Sequence, residues 1–348
     1  MRRPGFWDRP GLLPSLLTPL AALVAAGSAR REARARPEVV PVPVICVGEA
    51  TVGGSGKTPV AIALGHLLRA TGATPHLLLR GHGGRLRGPV RVDPRRHDAA
   101  AVGDEALLHA RHGPTWVGRK RAAAARAAVA AGATHLVLDD GLQHPGLAKT
   151  LSLLVIDTDS GIGNGRVLPA GPLREPFPRS LARADALVLV GGARAEAAPW
   201  RAARLPVLAA RLVPAAAAAG PAGRRVLAFA GIGRPEKFFA TCTALGCRVE
   251  RRFAFSDHHR YRPSELAHLR ALALEDGLEI ITTEKDFVRL PHPWREFAFP
   301  LPVELIWDDP DGPYNLMWRL GAMEHFELAR CSRGCVAAAE NASRIIGP

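Results

Sequence analysis

The stretch VPVICVGEATVGGSGKT (Val42–Thr58) decides the fold, because it joins a short apolar run to a glycine-rich loop. Apolar residues then recur at helical spacing, at Ile62, Leu64, Leu67 and Leu68. Gly53, Gly54 and Gly56 let backbone N–H groups approach phosphate oxygens, and the start of the following helix adds its dipole. A strand, this loop and a helix, in that order, are the context that a nucleotide-binding P-loop requires.

The P-loop interpretation assigns roles within this loop. Lys57 reaches the β- and γ-phosphates, and the Thr58 hydroxyl ligates Mg²⁺. The usual GxxxxGK[ST] pattern begins with glycine, where this chain has Thr51. The alternative is a glycine-rich turn without a ligand, and the flanking strand and helix disfavour it. The predicted nucleotide-binding residues are Thr51, Val52, Gly53, Gly54, Ser55, Gly56, Lys57 and Thr58.

A second apolar strand ends in carboxylates, because His135–Leu138 runs into Asp139 and Asp140. A carboxylate at the end of a parallel strand beside the P-loop strand can hold Mg²⁺ directly or through water. Strands often end in turn-forming aspartates, so the pair alone is a weak signal. When it follows a P-loop in the chain, the aspartate pair predicts carboxylates that lie beside the Mg²⁺ of a bound nucleotide.

From Val39 onward, short apolar runs alternate with longer helical stretches, which predicts an α/β fold with a mostly parallel sheet flanked by helices. Strands are predicted at Val42–Val47, Thr74–Leu79, His135–Leu138, Ser152–Ile156, Ala186–Val190, Arg225–Ala230, Glu279–Thr282 and Val303–Ile306. Helices are predicted at Gly56–Ala70, Asp104–Arg111, Arg119–Ala131, Pro235–Leu245, Pro263–Asp276 and Tyr314–Leu328. Pro214–Gly223 is interpreted as a linker or permissive loop, and the chain from Ala329 as a loosely held tail.

The N-terminal run Leu12–Gly27 is uncharged and flanked by arginines on both sides. It is shorter than the ~20 residues that span a bilayer comfortably, and Pro14 and Pro19 interrupt it. We therefore expect a helix at the membrane interface, held to anionic headgroups by the arginines. A spanning helix, a secretory signal and a buried helix stay open as alternatives. The signal is disfavoured because the ATP site that follows belongs in the cytoplasm.

The chain has 46 Lys and Arg against 32 Asp and Glu, a net charge of +14, which points to an acidic partner or to a biased composition. Nucleic acid is disfavoured because aromatic residues make up only 5% and no nucleic-acid-binding motif is present. Phosphates and anionic lipid remain. The five cysteines include no CxxC pair, so reduced thiols are expected.

Two acids, Asp104 and Glu105, begin a predicted helix. Phosphoryl transfer to a hydroxyl needs a carboxylate or histidine that takes the proton, and Asp104 is the best candidate. The alternative is that both acids only cap the helix and complement its dipole. The clusters DHH (Asp257–His259) and TEKD (Thr283–Asp286) are interpreted, from their residues alone, as solvated turns.

Taken together, several segments are recognisable as a set: VGEATVGGSGKTP, RGHGG (Arg80–Gly84), VGDE (Val102–Glu105), LDDGLQH (Leu138–His144), GNGRVLPAGPLREP (Gly163–Pro176), AGIGRPEKFF (Ala230–Phe239), DHH and TEKD. Their order closely resembles that of the tetraacyldisaccharide 4′-kinase family of lipid A biosynthesis, over about residues 12 to 310. The resemblance implies a P-loop kinase core at 37–175, a second smaller α/β lobe at 176–328, a membrane-association segment at 1–36 and a tail at 329–348. It also implies that ATP phosphorylates the 4′-hydroxyl of a tetraacyl glucosamine disaccharide 1-phosphate.

The resemblance also assigns site residues. Lys57 and Thr58 bind the triphosphate and Mg²⁺, Asp104 with His258 is the catalytic couple, and Lys57 is also counted among the catalytic residues. The implied metal-side residues are Thr58, Asp139, Asp140 and Glu105, and Gln143, His144 and Arg174 are implied to lie near the nucleotide or sugar. Glu49 and His82 stand where Asn and Tyr are usual in the family, and we expect any effect of these two changes to be on substrate contacts.

The implied partners are the lipid disaccharide and the cytoplasmic face of the bacterial inner membrane, with no nucleic acid and no obligate protein partner. The alternative function is a P-loop NTPase switch or metallochaperone that acts on a protein partner. GGSGKT and the aspartate pair fit that class equally well, but the LPAGPLRE stretch, Asp104 and the DH pair have no role in it.

Overall fold

The protein is described from a computed structural model over residues 4–191, 200, 204–215 and 222–322. Its strands are β1 (Val44–Glu49), β2 (Pro75–Leu79), β3 (Val90–Arg91), β4 (Thr115–Val117), β5 (His135–Asp139), β6 (Leu151–Asp157), β7 (Ala186–Val190), β8 (Val207–Pro214), β9 (Arg225–Ala230), β10 (Arg248–Ala254), β11 (Glu279–Thr283), β12 (Ala298–Leu301) and β13 (Val303–Trp307). Its helices are α1 (Leu12–Leu16), α2 (Thr18–Ala33), α3 (Lys57–Ala70), α4 (Ala99–Val102), α5 (Asp104–Ala110), α6 (Arg121–Ala130), α7 (Phe177–Ala182), α8 (Pro235–Ala244), α9 (Pro263–Asp276), α10 (Glu284–Phe287), α11 (His292–Arg295) and α12 (Gly312–Arg319).

Some predicted segments extend past the described residues. The predicted linker Pro214–Gly223 is described only at its two ends, and the predicted tail from Ala329 lies wholly outside. The predicted helix Tyr314–Leu328 starts at Gly312 and ends at Arg319, and its part beyond residue 322 also lies outside the described chain.

Nine strands form one sheet, in the order β13-β8-β7-β6-β1-β5-β2-β4-β3. Neighbours run parallel except at the two edges, where β13 pairs antiparallel with β8 and β3 with β4. Both faces of the parallel part are covered, so β1 and β6 are buried at every position. That is why these strands are continuous apolar runs in the sequence. The predicted α/β fold is confirmed.

Strand β1 lies between β5 and β6, and Val47 is aligned with Asp139 of β5. The P-loop that follows β1 and the aspartates that end β5 therefore meet at one edge of the sheet. Strands that follow β1 in the chain are added on both sides of it, with β2 and β5 on one side and β6 and β7 on the other. Ligands of open α/β sheets bind at the carboxyl ends of the strands where the strand order reverses in this way.

A second sheet has the order β10-β9-β11-β12, with all neighbours parallel. Phe238 and Phe239 of α8 pack in a core that includes strand residues of this sheet, and Leu266 and Leu269 of α9 pack in another. Strand β9 contributes residues to both cores, so the sheet is covered on both faces.

The two sheets divide the chain differently from the predicted boundary at residue 176. Strands β7, β8 and β13 fall in the predicted second lobe, yet they belong to the nine-stranded sheet. The physical reason is that β6 is buried at every position, so its backbone N–H and C=O groups need a hydrogen-bonding strand on each side. The apolar strand β7 is that partner on the side away from β1. Among the described residues, the second sheet is built only from strands between Arg225 and Leu301.

The N-terminal segment packs on the large sheet's side of the molecule. Trp7 Nε1 donates to the carbonyl of Pro169 at 3.0 Å, and Ala21 of α2 is buried in a core that contains strand residues of the large sheet. Glu32 at the end of α2 pairs with Arg179 and Arg183. The exposed large apolar side chains of the segment are Leu12, Leu13, Leu16, Leu20, Leu23 and Val24. None of the helices in the described ranges combines the length and apolar character that crossing a membrane requires.

Three of the five cysteines, Cys46, Cys242 and Cys247, are described, and all three are buried. Burial raises the pKa of Cys46 and of Cys242 to about 12. Thiols that stay protonated at neutral pH are unreactive, so these residues are packing groups.

Candidate active site

The glycine-rich loop connects the end of β1 to the start of α3. Gly53 and Gly56 adopt φ values of +127° and +90°, which favour glycine. A Cβ added at Gly53 or Gly54 would meet no atom within 4 Å, so the loop backbone borders open space. Exposed backbone N–H groups beside a helix N-terminus form an anion-binding site. The loop therefore has the form that a phosphate cradle needs.

Lys57 is the first residue of α3, and its ammonium lies among carboxylates. Nζ is 3.3 Å from Glu49 Oε1 and 3.8 Å from Glu105 Oε1. Burial would lower the pKa of Lys57, but Glu49, Glu105 and the aspartates that end β5 raise it well above its usual value. Lys57 is therefore a permanent positive charge at the phosphate loop.

Thr58 and Asp139 face each other across the ends of α3 and β5. Thr58 Oγ1 donates to Asp139 Oδ2 at 3.2 Å, and His109 Nε2 of α5 donates to the same oxygen at 2.7 Å. The other oxygen, Asp139 Oδ1, is buried and has no hydrogen-bond partner among the described residues. A buried carboxylate oxygen without a donor is suited to a cation.

The described residues contain no group of three or more His, Cys, Asp or Glu side chains arranged as a metal site. Mg²⁺ is typically bound through one or two carboxylates together with substrate phosphates. Thr58 and Asp139 provide such a small set of oxygen ligands.

Arg174 ties the loop after β5 to the end of β1. Its Nη2 donates to Glu49 Oε1 at 2.6 Å, Nη1 lies 2.9 Å from Asp140 Oδ1, and Nε donates to the Thr51 carbonyl at 3.3 Å. Asp140 has a positive φ of 57°, which turns the chain directly after the strand. Arg174 therefore lies beside the phosphate loop and one of the predicted metal-side carboxylates.

Asp104 and His258 are in direct contact, although 154 positions separate them in the chain. His258 Nδ1 donates to Asp104 Oδ2 at 2.9 Å, and Arg289 Nε donates to the same oxygen at 2.6 Å. Burial would raise the pKa of Asp104, but the hydrogen bond from His258 and the charges of Arg289 and Lys285 hold it well below its usual range. Asp104 is thus a carboxylate that stays ionised between two donors.

Glu105 lies between two lysines. Lys285 Nζ is 3.1 Å from Glu105 Oε1, and Lys57 Nζ contacts the same oxygen. Burial would raise the pKa of Glu105, but Lys285 and Lys57 hold it well below its usual value. Its position is thus set by cations from both sheets, whereas the resemblance implies a metal-side role for this residue.

Ion pairs connect the two sheets around the loop. Asp157 at the end of β6 pairs with Arg234 and, at 3.1 Å, with Lys237, both from the start of the α8 region. Arg234 Nη2 also donates to the carbonyl of Gly54 at 3.4 Å. The second sheet therefore contributes cations directly beside the phosphate loop.

The remaining predicted residues are placed as follows. Gln143 Nε2 donates to the backbone oxygen of Glu49 at 2.9 Å, and Ser55 Oγ donates to Glu49 Oε2 at 2.6 Å. Val52 N–H donates to the carbonyl of Pro172 at 2.8 Å. His144 is held within its own turn, where its Nδ1 accepts from Gly146 N–H at 3.2 Å. Burial and the nearby charges of Arg121, Lys149 and Arg80 lower the pKa of His144 to about 4.

Sequence reasoning missed several residues of this site. Arg289, His109 and Lys285 received no role, and TEKD was interpreted as a solvated turn, which is wrong. Asp286 is fully buried, accepts from Gly231 N–H at 3.0 Å and from Tyr261 Oη at 2.8 Å, and pairs with Arg289. A sequence signal for a role of TEKD was available in part, because TEKD was among the segments that resemble the family.

His82, which stands where Tyr is usual in the family, lies with its ring centroid 5.9 Å from that of His258.

Comparison with known proteins bears directly on this geometry. A sequence profile described as tetraacyldisaccharide-1-P 4′-kinase matches residues 13–319. The chain belongs to the tetraacyldisaccharide 4′-kinase family. The resemblance inferred from the motifs is confirmed, and so is the prediction of an ATP-dependent kinase of lipid A synthesis. The alternative of a P-loop switch is not favoured.

Relatives named tetraacyldisaccharide 4′-kinase match over nearly their whole length. The one from Rhodospirillum centenum is 56% identical over 319 residues, which are 89% of this chain and 94% of the relative. The one from Gluconacetobacter diazotrophicus is 51% identical over 322 residues, 91% of this chain and 98% of the relative. The crystal structure of LpxK from Aquifex aeolicus in complex with ATP has a TM-score of 0.70 and 26% identity, and the match covers 89% of this chain and 99% of that one.

Proposed function

We propose that this tetraacyldisaccharide 4′-kinase family member transfers the γ-phosphoryl group of ATP to the 4′-hydroxyl of a tetraacyldisaccharide 1-phosphate at the site around Lys57. The single observation that carries the proposal is that the phosphate loop and the Asp104–His258 couple are linked through one pair of residues: Glu105 pairs with Lys57 and with Lys285, and Lys285 Nζ lies 3.5 Å from His258 Nε2. In the reaction the hydroxyl oxygen forms a bond to the γ-phosphorus, and the bond to the ADP oxygen breaks. The hydroxyl proton passes to the protein.

The proton-accepting group is the Asp104–His258 couple. His258 donates from Nδ1 to an ionised carboxylate, which leaves the lone pair of Nε2 able to take the hydroxyl proton. Asp104 then stabilises the imidazolium and keeps the ring in this tautomer. Lys285 Nζ, 3.5 Å from His258 Nε2, keeps positive charge near the position of the reacting groups. Arg289 donates to the same Asp104 oxygen and holds the carboxylate in place.

The nucleotide is held by the loop from Thr51 to Thr58, with Lys57 and Arg174 as the cations that face its phosphates. Gln143 and His144 belong to the loop after β5 and border the nucleotide or the sugar. Thr58, Asp139 and Asp140 would hold Mg²⁺, which supplies charge neutralisation on the transferred phosphoryl group. Glu105 influences the transferred phosphoryl group indirectly, through Lys57 and Lys285, the two lysines with which it pairs.

The N-terminal segment brings the enzyme to its lipid. A substrate with four acyl chains stays in a bilayer, so the exposed leucines of α1 and α2 enter the interface while the flanking arginines contact anionic headgroups. Because the reaction uses ATP, the segment binds the cytoplasmic face of the inner membrane. The protein acts there without an obligate protein partner and without nucleic acid.

Transfer of label from γ-³²P-ATP to tetraacyldisaccharide 1-phosphate in detergent micelles tests the proposal, with Lys57→Ala as the comparison. Labelled lipid that forms with the wild type and not with Lys57→Ala would support the proposal. Release of free phosphate at the same rate with and without the lipid would instead support a nucleotide switch.

A further inference from the structure

Glu49, the last residue of β1, is a buried carboxylate within the phosphate-binding site. Only 1% of its surface is exposed. Its Oε1 accepts from Arg174 Nη2 at 2.6 Å and lies 3.3 Å from Lys57 Nζ, and its Oε2 accepts from Ser55 Oγ at 2.6 Å. Both oxygens are therefore engaged by the cations and the hydroxyl of the nucleotide site itself.

The two cations that Glu49 binds are the two that the proposed function directs at the triphosphate. A carboxylate and a phosphate oxygen bind Lys and Arg through the same charge-assisted hydrogen bonds. Glu49 is fixed at the end of a central strand, and a buried charge interacts more strongly than one in water. The negative charge of Glu49 therefore opposes the binding of phosphate oxygens to Lys57 and Arg174.

We propose that Glu49 is a built-in competitor of the nucleotide phosphates for Lys57 and Arg174. It compensates these two half-buried positive charges, and in doing so it weakens nucleotide binding. Glu49 is thus a residue that sets ATP affinity, an inference that rests on the proposed nucleotide role of Lys57.

The chain offers a matched control in Glu175. This glutamate is also 1% exposed, and like Glu49 it binds two cations and a serine, although both cations are arginines here: Arg183 at 3.1 Å, Arg179 at 3.7 Å and Ser180 at 3.1 Å. It neighbours Arg174 in the chain, but its carboxylate pairs with α7 and the residue after it. Glu175→Gln therefore removes an equally buried charge without removing one from the nucleotide site.

The test is the dissociation constant of the magnesium complex of a non-hydrolysable ATP analogue, measured by calorimetry on the full chain. We expect Glu49→Gln to bind the analogue about tenfold more tightly than the wild type, as removal of one like charge from a partly solvated site should. Glu175→Gln should leave the constant unchanged. An unchanged or weaker affinity in Glu49→Gln would overturn the inference.

Thermal unfolding provides the second measurement. Without nucleotide, both glutamine variants should melt below the wild type, because each leaves two half-buried cations without their carboxylate. The analogue should raise the melting temperature of Glu49→Gln more than that of the wild type or of Glu175→Gln. If Glu49 had only a structural role, the two variants would respond alike to the analogue.

Lys57→Ala separates this inference from the proposed function. If Lys57→Ala does not weaken analogue binding, the assignment of the nucleotide site itself fails. If Lys57→Ala weakens binding and Glu49→Gln leaves it unchanged, only the role of Glu49 fails.

Discussion

His258 Nδ1 and Asp104 Oδ2 are 2.9 Å apart, and this hydrogen bond joins the loop after β10 to the first residue of α5. His258 has a positive φ of 56°, and its backbone N–H donates to the Gly231 carbonyl at 3.1 Å. The second sheet thus positions the imidazole, and the first sheet's side of the molecule positions the carboxylate. Chemistry at this couple depends on both sheets keeping their relative arrangement.

Arg289 should support both stability and turnover. It is mostly buried and binds Asp104 at 2.5 Å and Asp286 at 2.8 Å. Arg289→Gln leaves two buried carboxylates without their cation, so we expect a loss of roughly 3–5 kcal/mol in unfolding free energy. Turnover should fall at least tenfold in protein that is still folded, because Asp104 loses its second donor.

Arg295→Gln is the control for that variant. Arg295 donates only to the backbone carbonyls of Leu290 and Val288 in the described structure. Denaturant unfolding and the rate of lipid phosphorylation, measured on both variants, check the prediction. Equal effects of the two substitutions on turnover would contradict it.

Thr58 should set the requirement for Mg²⁺. Thr58→Val keeps the shape of the side chain and removes the hydroxyl beside Asp139. We expect the Mg²⁺ concentration for half-maximal nucleotide binding to rise roughly tenfold, a size typical of changes around metal ligands. Thr71→Val is matched to it, since Thr71 caps the other end of the same helix and, within the part of the chain that the structure describes, its hydroxyl donates only to the Leu68 carbonyl. A similar rise in both variants would rule out a metal role for Thr58.

Exposed leucines at the N-terminus should hold the enzyme on lipid. Leu16 and Leu23 are 77% and 70% exposed, so replacing both with serine costs the fold little. Each leucine inserted into the interface contributes on the order of 1–2 kcal/mol, so the double variant should bind anionic vesicles at least tenfold more weakly. Leu274→Ser, at a 73% exposed position on α9, should bind as the wild type does. Vesicle sedimentation measures this, and unchanged sedimentation of the double variant would argue against an anchor.

These point variants are sharper than removal of residues 1–36. Trp7 and Glu32 tie that segment to Pro169, Arg179 and Arg183, so its deletion also removes packing contacts. We expect the deletion to lower lipid association and lipid turnover more than ATP binding. Equal loss of all three would indicate a folding role.

The low pKa of Asp104 and of Glu105 predicts how stability depends on pH. Their folded-state pKa values lie below the usual 3.8 and 4.5, so their ionised forms stabilise the fold. That contribution is fully present above about pH 5 and is lost as the pH falls through the folded-state values. The wild type should therefore exceed Asp104→Asn in unfolding free energy by a constant amount from pH 7 to 5, and by less below about pH 4. A difference that grows as the pH falls would contradict these pKa directions.

The sequence predicted the elements that carry strong local signals. The P-loop strand, its helix and the strand before Asp139 are buried apolar runs next to glycine or aspartate, and all are present. Strands β10 and β12 were missed because their burial is mixed and arginines or prolines interrupt the apolar pattern. β8 was missed for a similar reason, since it is mostly exposed or half-buried.

The site was predictable where neighbouring residues carry the chemistry, as in the loop from Thr51 to Thr58. Its long-range pairs were not. Asp104 with Arg289 and Glu105 with Lys285 join segments about 180 positions apart, and residue spacing contains no information about such contacts. Asp104 and His258 were paired only through resemblance to the family. Glu49 was noted as a departure, but its burial between Lys57 and Arg174 needed the structure.

The most direct test of the account is single-turnover transfer of label from γ-³²P-ATP to tetraacyldisaccharide 1-phosphate by Asp104→Asn, with analogue binding measured on the same protein. We expect a fall of about 10² to 10⁴ in the transfer rate, because the general base His258 loses the carboxylate that stabilises its imidazolium, with nucleotide affinity within about twofold of the wild type. Asp98→Ala, which removes only the side-chain cap of α4, should transfer label at the wild-type rate. Near-normal transfer by Asp104→Asn would reduce Asp104 to a helix-end residue and contradict the proposed catalytic couple.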